Sequence, residues 1–112
     1  MIRLFGLKNC DACRKAMKAL EAAGRGVEFV DIRKEATGDD IARWLERSGA
    51  GALTNRRSTT WRGLDEGERA AADGPGALAL LTTNPALIKR PVIETSEALF
   101  IGWSDDARAA LL

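Results

Sequence analysis

The sequence predicts an α/β fold with a four-stranded mixed sheet, flanking helices and a helical insertion. Three observations carry this prediction: a strand–helix–strand pattern over residues 1–32, helical patterns over residues 38–84, and a strand–strand–helix pattern over residues 92–112. A parallel pair formed early and an antiparallel hairpin formed late can share one sheet with helices on its faces. The 112 residues have the length of one domain, so we predict a single domain over residues 1–112.

The first pattern begins with a short apolar strand over residues 1–6 that ends at Gly6. A helix is predicted over residues 11–23, followed by glycines of the kind that end helices. Residues 27–32 alternate as a second strand. This length suffices for a right-handed parallel crossover. The positions of the helix expected to face the core are Ala16, Met17, Leu20 and Ala23.

The middle of the chain is predicted to be helical. Thr37 is a suitable N-cap for a helix that buries Trp44 and ends before Gly49. Further helices are expected over residues 65–72 and 77–83, each next to a turn-forming segment. These helices form the predicted insertion, about residues 38–84.

The last pattern predicts a hairpin and a helix. Residues 92–94 and 98–102 are two short strands about a tight turn, and Ser104 caps a final helix. We expect Trp103 to belong to the core. The complete element order is similar to the thioredoxin fold, enlarged by helices between its two halves.

Composition excludes several kinds of chemistry. The chain has no His, which excludes Ser-His and Cys-His catalysis and His-ligated metals. Two Cys cannot form a four-thiolate metal site in one chain, so no metal is predicted. The net charge of +1 argues against direct nucleic-acid binding. No apolar run approaches the roughly 20 residues of a membrane span, and from the first ten residues we expect no signal peptide. We therefore expect a cytoplasmic protein with no membrane partner, where a Cys pair is more often catalytic than structural.

The segment Cys10-Asp11-Ala12-Cys13 lies at the junction between the first strand and the first helix. A thiolate at a helix N-terminus is stabilised by unpaired N–H groups and the helix dipole. Lys8 and Arg14 add to this effect, whereas Asp11 opposes it. Cys10 is the expected nucleophile and Cys13 the expected resolving thiol. Two alternatives remain: both are incidental buried residues, or they form half of a zinc site shared between two chains.

A proline stands directly before the third predicted strand, in the segment Lys89-Arg90-Pro91. If the Arg90–Pro91 bond is cis, the Arg90 carbonyl lies against the Cys turn and can pair with a substrate backbone. The Arg90 guanidinium can also hold an oxyanion or a glutathione carboxylate beside the sulfur. The alternative is a strand-entry proline next to basic side chains that face solvent.

The segment from Asn55 to Arg62 contains three arginines and Trp61. A solvated loop is the commonest meaning of such a run, and an anion-binding loop facing the thiol is the alternative. A nucleic-acid patch is poorly supported in a chain of this charge.

Four segments together resemble the arsenate reductase family of the thioredoxin superfamily, which also contains the Spx regulators. They are IRLFGLKNCDACRKAMKAL, LTNRRSTTWRGL, LLTTNPALIKRPVI and LFIGWSDDARAALL, and they extend over essentially the whole chain. The match is strongest to the small YffB-like branch. The resemblance implies a thioredoxin-like fold and a glutathione-dependent thiol reductase.

The resemblance also assigns site residues. Cys10 matches the catalytic cysteine of the family, and Arg90 and Pro91 match an arginine followed by a cis-proline. Arg57 matches the arginine of the middle loop, although the adjacent Arg56 leaves that register open by one residue. From the turn before the thiol we expect Lys8 and Asn9 to contact the substrate, together with Pro91.

Two departures from arsenate reductases weigh against arsenate as the natural substrate. Those enzymes have a further arginine on the last strand, where residues 99–103 contain no basic residue. They also lack a cysteine at the place of Cys13, whose pairing with Cys10 resembles the redox switch of Spx proteins.

The expected function is thus a thiol-disulfide oxidoreductase with glutathione, or a glutaredoxin-like protein, as electron donor. We expect no tightly bound cofactor, a thiol, disulfide or oxyanion substrate, and a monomer. The alternatives are an arsenate reductase coupled to glutaredoxin, and a redox-sensing regulator that binds RNA polymerase.

Overall fold

The computed structural model describes residues 1–112 and contains two units. The first unit comprises residues 1–36 and 90–112, and the second comprises residues 37–89. The predicted insertion of residues 38–84 lies inside the second unit. The assignment of the whole chain to one domain stays a prediction.

The first unit contains a four-stranded mixed sheet, as predicted. The central strand β1 (Ile2–Gly6) pairs in parallel with β2 (Val27–Asp31). Strand β3 (Val92–Glu94) is antiparallel to both β1 and β4 (Leu99–Ile101), which gives the order β2-β1-β3-β4. Helix α1 extends over Asp11–Ala22. Parallel pairing of β1 with β2 requires a crossover, which α1 supplies.

Helix α1 brings Cys13 into the core of this unit. Its buried positions are Cys13, Ala16 and Leu20, which recur at helical spacing on one face. They cluster with buried side chains of the sheet and the last helix: Ile2, Leu4, Ile93 and Leu111. The prediction was wrong for Ala23, which is exposed because the helix has already ended there.

The last helix, α7 (Asp105–Leu111), begins as expected with Ser104, whose Oγ accepts a hydrogen bond from the Ala107 N–H at 3.2 Å. Trp103 precedes this cap and packs against the core cluster, but it stays partly exposed. It therefore borders the core rather than filling it, unlike Trp44, which is fully buried as predicted.

The second unit is built from short helices joined by turns. Two of them were not predicted, because α3 (Ala50–Leu53) has only four residues and α4 (Thr59–Arg62) lies inside the segment expected to be a loop. No helix in either unit is long and apolar enough to cross a membrane. The helices are α2 Gly38–Ser48, α3 Ala50–Leu53, α4 Thr59–Arg62, α5 Glu66–Ala71 and α6 Ala77–Thr83, followed by a 3-10 turn at Pro85–Leu87.

Candidate active site

The turn between β1 and α1 presents Cys10 at the start of the helix. The Cys10 N–H donates to the Leu7 carbonyl at 3.2 Å, which closes the turn, and Lys8 and Asn9 are exposed within it. Cys10 is the N-cap residue, with extended backbone angles of φ −95° and ψ 121°. The side chain of Cys10 is partly exposed, whereas that of Cys13 is buried. Both thiols are free, and Cys10 is the one that a substrate can reach.

Gly6, the last residue of β1, makes room for the Cys13 thiol. A Cβ atom on Gly6 would overlap Cys13 Sγ and would lie 3.2 Å from Cys13 Cβ. Gly6 has no positive φ, so its lack of a side chain is required by this contact and not by its backbone conformation. The sequence predicted Gly6 only as the end of a strand, because no local pattern shows that the Cys13 side chain packs against it.

Hydrogen-bond donors around the Cys10 sulfur favour its thiolate. Partial burial raises the pKa of Cys10, but the backbone N–H and the thiol of Cys13 lower it, and so does the Arg90 guanidinium through a hydrogen bond and its charge. The net effect is a Cys10 pKa below the ordinary value of a thiol. A lowered pKa increases the fraction of nucleophilic thiolate near neutral pH.

The pKa of Cys13 is shifted in the opposite direction. Burial, together with the neighbouring Cys10, raises the pKa of Cys13 to about 12, although the Leu7 backbone N–H acts in the other direction. Cys13 is thus protonated at neutral pH and can donate its S–H to the Cys10 thiolate. The two cysteines therefore differ: Cys10 is partly exposed and has a lowered pKa, whereas Cys13 is buried and has a raised pKa.

Arg90 and Pro91 lead into β3. The Arg90–Pro91 peptide bond is cis, as expected, and Pro91 is buried. The Pro91 carbonyl accepts a hydrogen bond from the Gly102 N–H at 2.8 Å, so it is already used within the chain. Arg90 is partly buried and hydrogen-bonds the Cys10 sulfur, in contrast to the alternative in which it faces solvent.

The other basic groups near the thiol play a smaller part than expected. Arg14 forms an ion pair with Asp11, so the two charges expected to act in opposite senses largely offset each other. The cation that lowers the pKa of Cys10 is Arg90. Sequence spacing suggested Lys8 and Arg14, whereas Arg90 is distant in the chain and was predicted beside the sulfur only from its place before Pro91 and the third strand. In the structure, the β1–β3 pairing brings it there.

In the second unit, the segment from Asn55 to Arg62 contains two adjacent arginines that differ in their ion pairing. Arg56 forms an ion pair with Asp73, and its guanidinium lies 5.1 Å from the centroid of the Trp61 ring. Arg57 is exposed and its guanidinium forms no ion pair, while its backbone N–H donates to Asn55 Oδ1 at 3.0 Å. Arg57 is thus the one whose charge is available, and its role at the site stays a prediction.

The sequence of this chain is similar to those of known proteins. The ArsC family model matches residues 5–111. The chain belongs to the ArsC family. It is 38% identical over 106 residues to an uncharacterised protein of Haemophilus influenzae, with 94% of this chain and 93% of that protein covered. It is also 28% identical over 118 residues to the global transcriptional regulator Spx of Streptococcus pyogenes, covering 100% of this chain and 85% of the regulator.

Two solved structures share the fold across the whole chain. One is a YFFB protein, with a TM-score of 0.91, 34% identity and coverage of 100% of this chain and 99% of that chain. The other is an arsenate reductase (ArsC) related protein from Brucella melitensis, with a TM-score of 0.77, 34% identity and coverage of 97% and 92%. The thioredoxin-like fold is thereby confirmed. Membership in this family supports an oxidoreductase of the thiol reductase or arsenate reductase type.

Proposed function

We propose that the protein is a thiol-disulfide reductase that uses glutathione as its electron donor and Cys10 as its nucleophile. The observation that carries the proposal is the set of three donors directed at the Cys10 sulfur: the Cys13 N–H, the Cys13 thiol and the Arg90 guanidinium. Such donors stabilise a thiolate, and they also stabilise it as a leaving group when a mixed disulfide is cleaved.

In the first step, the Cys10 thiolate attacks the glutathione sulfur of a mixed disulfide between glutathione and a substrate thiol. The Cys10–glutathione S–S bond forms as the substrate S–S bond breaks. The substrate sulfur leaves with the electron pair, takes a proton from solvent and is thereby reduced to a thiol. Arg90 supports this step, because its fixed charge and forked donors can hold a carboxylate of glutathione beside the sulfur.

In the second step, the thiolate of a second glutathione attacks the glutathione sulfur bound to Cys10. Glutathione disulfide is released and the Cys10 thiolate returns, so the net reaction converts a mixed disulfide and one glutathione into a thiol and glutathione disulfide. Cys13 offers another route, in which its sulfur attacks the Cys10 sulfur and the bound glutathione leaves as a thiol. The Cys10–Cys13 disulfide formed in this way is then reduced by two further glutathione molecules, which leave as glutathione disulfide. Once Cys10 is in a disulfide its negative charge is gone, which removes one cause of the high pKa of Cys13.

The remaining predicted substrate contacts are assigned to the surroundings of this sulfur. Lys8 and Asn9 are exposed in the preceding turn, where they can meet the incoming disulfide. Pro91 fixes the backbone from which the Arg90 side chain reaches Cys10. Arg57 is the proposed second anion contact, from the middle segment.

The test is turnover of the mixed disulfide of glutathione and 2-mercaptoethanol, coupled to glutathione reductase and NADPH oxidation. We expect Cys13→Ser to retain measurable, monothiol turnover, since Cys10 and glutathione suffice for both steps. Mass spectrometry after quenching should find glutathione on Cys10. Absence of turnover, with no glutathione adduct on Cys10, would refute the proposal.

Two other functions have specific support. The likeness to an ArsC-related structure favours arsenate reduction, and arsenate-dependent NADPH oxidation with a glutaredoxin system would establish it. The match to Spx and the presence of two cysteines at its switch spacing favour a redox sensor. For that function, binding to RNA polymerase should depend on oxidation of the pair, without turnover of any disulfide.

A further inference from the structure

A groove of about 210 Å³ lies between α1 and β2 in the first unit, beside the cysteine turn. Its apolar walls are Leu7, Met17 and Phe29, and Cys13 also lines it. A cavity of about 150 Å³ is enough to hold benzene, so this α1–β2 groove can accept one branched or aromatic side chain. Met17 and Phe29 are only partly buried, which leaves the apolar walls accessible from solvent.

The rim of the α1–β2 groove is positively charged. Lys8, Arg14 and Lys18 line it, and all three are exposed. Arg14 is paired with Asp11, whereas Lys8 and Lys18 form no ion pair within the chain. An apolar slot with cations at its edge is complementary to an apolar side chain next to a carboxylate.

The groove is aligned with the reactive sulfur. Cys10, Arg14 and Lys18 follow each other at intervals of four residues, so they lie along one side of α1. At about 1.5 Å of rise per residue, Lys18 is roughly 12 Å along the helix from Cys10. An extended peptide covers about 3.3–3.6 Å per residue, so this distance corresponds to three or four residues of a bound chain.

We propose that the α1–β2 groove binds the polypeptide half of the disulfide substrate. The favoured substrate is a protein or peptide whose cysteine is followed or preceded, within about three or four residues, by an apolar and then an acidic side chain. This inference rests on the proposed function and specifies its substrate class. Glutathione has no apolar side chain, so glutathione itself does not account for the apolar walls.

The experiment uses synthetic peptides of one length that carry a single glutathionylated cysteine. One peptide has Leu two positions and Glu four positions after the cysteine, and the others replace Leu by Ala or Glu by Lys. In a second set of peptides, the Leu and the Glu stand two and four positions before the cysteine. For the favoured direction, we expect kcat/KM for the Leu–Glu peptide to exceed that for the Ala or Lys peptide by about five- to tenfold. The preference for Glu should weaken at high salt.

Lys18→Glu is the informative variant and Lys15→Glu is its matched control. Lys15 is exposed on the same helix and carries the same charge, but it does not line the groove. Lys18→Glu should abolish or reverse the preference for Glu over Lys in the peptide, whereas Lys15→Glu should preserve it. Equal effects of the two variants, or no preference between peptides in wild type, would overturn the inference.

A binding measurement separates this inference from the proposed function. The same peptides with Ser in place of the glutathionylated Cys cannot react, and their affinity can be measured by fluorescence anisotropy. If the Leu–Glu peptide binds several-fold tighter and Lys18→Glu removes the difference, the groove is established even without turnover. If the mixed disulfide of glutathione and 2-mercaptoethanol is turned over while no peptide preference exists, the proposed function stands and the groove assignment fails.

Discussion

Helix α1 in the first unit and helices α2 and α5 in the second unit begin in different ways. Thr37 caps α2 and Asp65 caps α5, each in a reciprocal capping box with the residue three positions later. Helix α1 begins with Cys10, which makes no ordinary side-chain cap. A Ser, Thr or Asp cap typically contributes about 1 kcal/mol. The thiol-bearing helix therefore has no oxygen cap, and the N–H of its third residue, Cys13, is directed at the Cys10 sulfur instead.

The two units differ also in how far apart in sequence the decisive contacts are. The caps of the second unit join residues three positions apart. At the thiol site, Arg90 contacts Cys10, and Gly6 makes room for Cys13. The starts of α2 and α5 are thus stabilised by local caps, whereas the lowered pKa of Cys10 depends on the sheet that brings distant residues together.

The largest expected effect comes from Cys10→Ser, which exchanges the sulfur for a capping oxygen. We expect no measurable turnover of the glutathione mixed disulfide, because the hydroxyl is not a nucleophile at neutral pH without a general base. At the same time, the free energy of unfolding of this variant should exceed that of Cys10→Ala by about 1 kcal/mol, since Ser can cap α1. Urea denaturation of both variants measures this difference. Equal stability of the two would show that α1 needs no cap.

Arg90→Ala should reduce kcat/KM about ten- to a hundredfold, because a charge-assisted hydrogen bond is worth about 1.5–3 kcal/mol. Arg90→Lys retains the charge but loses the forked N–H donors of the guanidinium, so the decrease in kcat/KM should be smaller. The removal of the guanidinium should also raise the pKa of Cys10, which moves the rise of the pH–rate profile to higher pH. Thiolate absorbance in the ultraviolet during a pH titration measures the pKa directly. An unchanged pKa in Arg90→Ala would contradict the role given to this side chain.

Gly6→Ala should destabilise the protein by about 1–3 kcal/mol, because the new Cβ overlaps the Cys13 thiol. It should also raise the pKa of Cys10, since displaced Cys13 groups no longer donate to it. The double variant Gly6→Ala with Cys13→Ala should recover most of the stability, which a double-mutant cycle measures as coupling. Gly26→Ala is the matched control, because its Cβ would meet only Met1 Cε at an ordinary 3.8 Å. Additive effects in the cycle would refute the contact.

The smallest effect is expected from Thr37→Ala, which removes a cap in the second unit. It should lower the free energy of unfolding by about 1 kcal/mol, and leave the pKa of Cys10 unchanged. Thr59→Ala, at an exposed position of α4, serves as the control for the loss of a threonine. A shift of the Cys10 titration in Thr37→Ala would contradict the division between local stability and reactivity.

Much of the fold could be predicted because its elements carry local patterns. The alternation of residues 27–32, the Thr37 and Ser104 caps and the hairpin turn each specify their element within a few residues. Helices α3 and α4 were missed because four residues are too few to show a helical period. Trp103 was assigned to the core on residue type, but its place beside the cap of α7 leaves it at the border.

The site could be predicted only in part. The order of Cys10 and Cys13 relative to α1 distinguishes the exposed thiol from the buried one, and that needs only the start of the helix. The contribution of Arg90 to the pKa of Cys10 and the contact between Gly6 and Cys13 depend on how β1, β3 and α1 pack. No spacing in the sequence encodes those distances.

The contact between Gly6 and Cys13 also restricts the order in which the two positions can change. A chain with any side chain at position 6 has no room for a thiol at position 13, so position 6 must become glycine before the second cysteine can enter. In the reverse direction, position 13 must first become smaller before position 6 can gain a side chain. Anyone converting a single-cysteine relative into a two-cysteine protein should therefore begin on the strand, one element ahead of the helix that receives the new thiol.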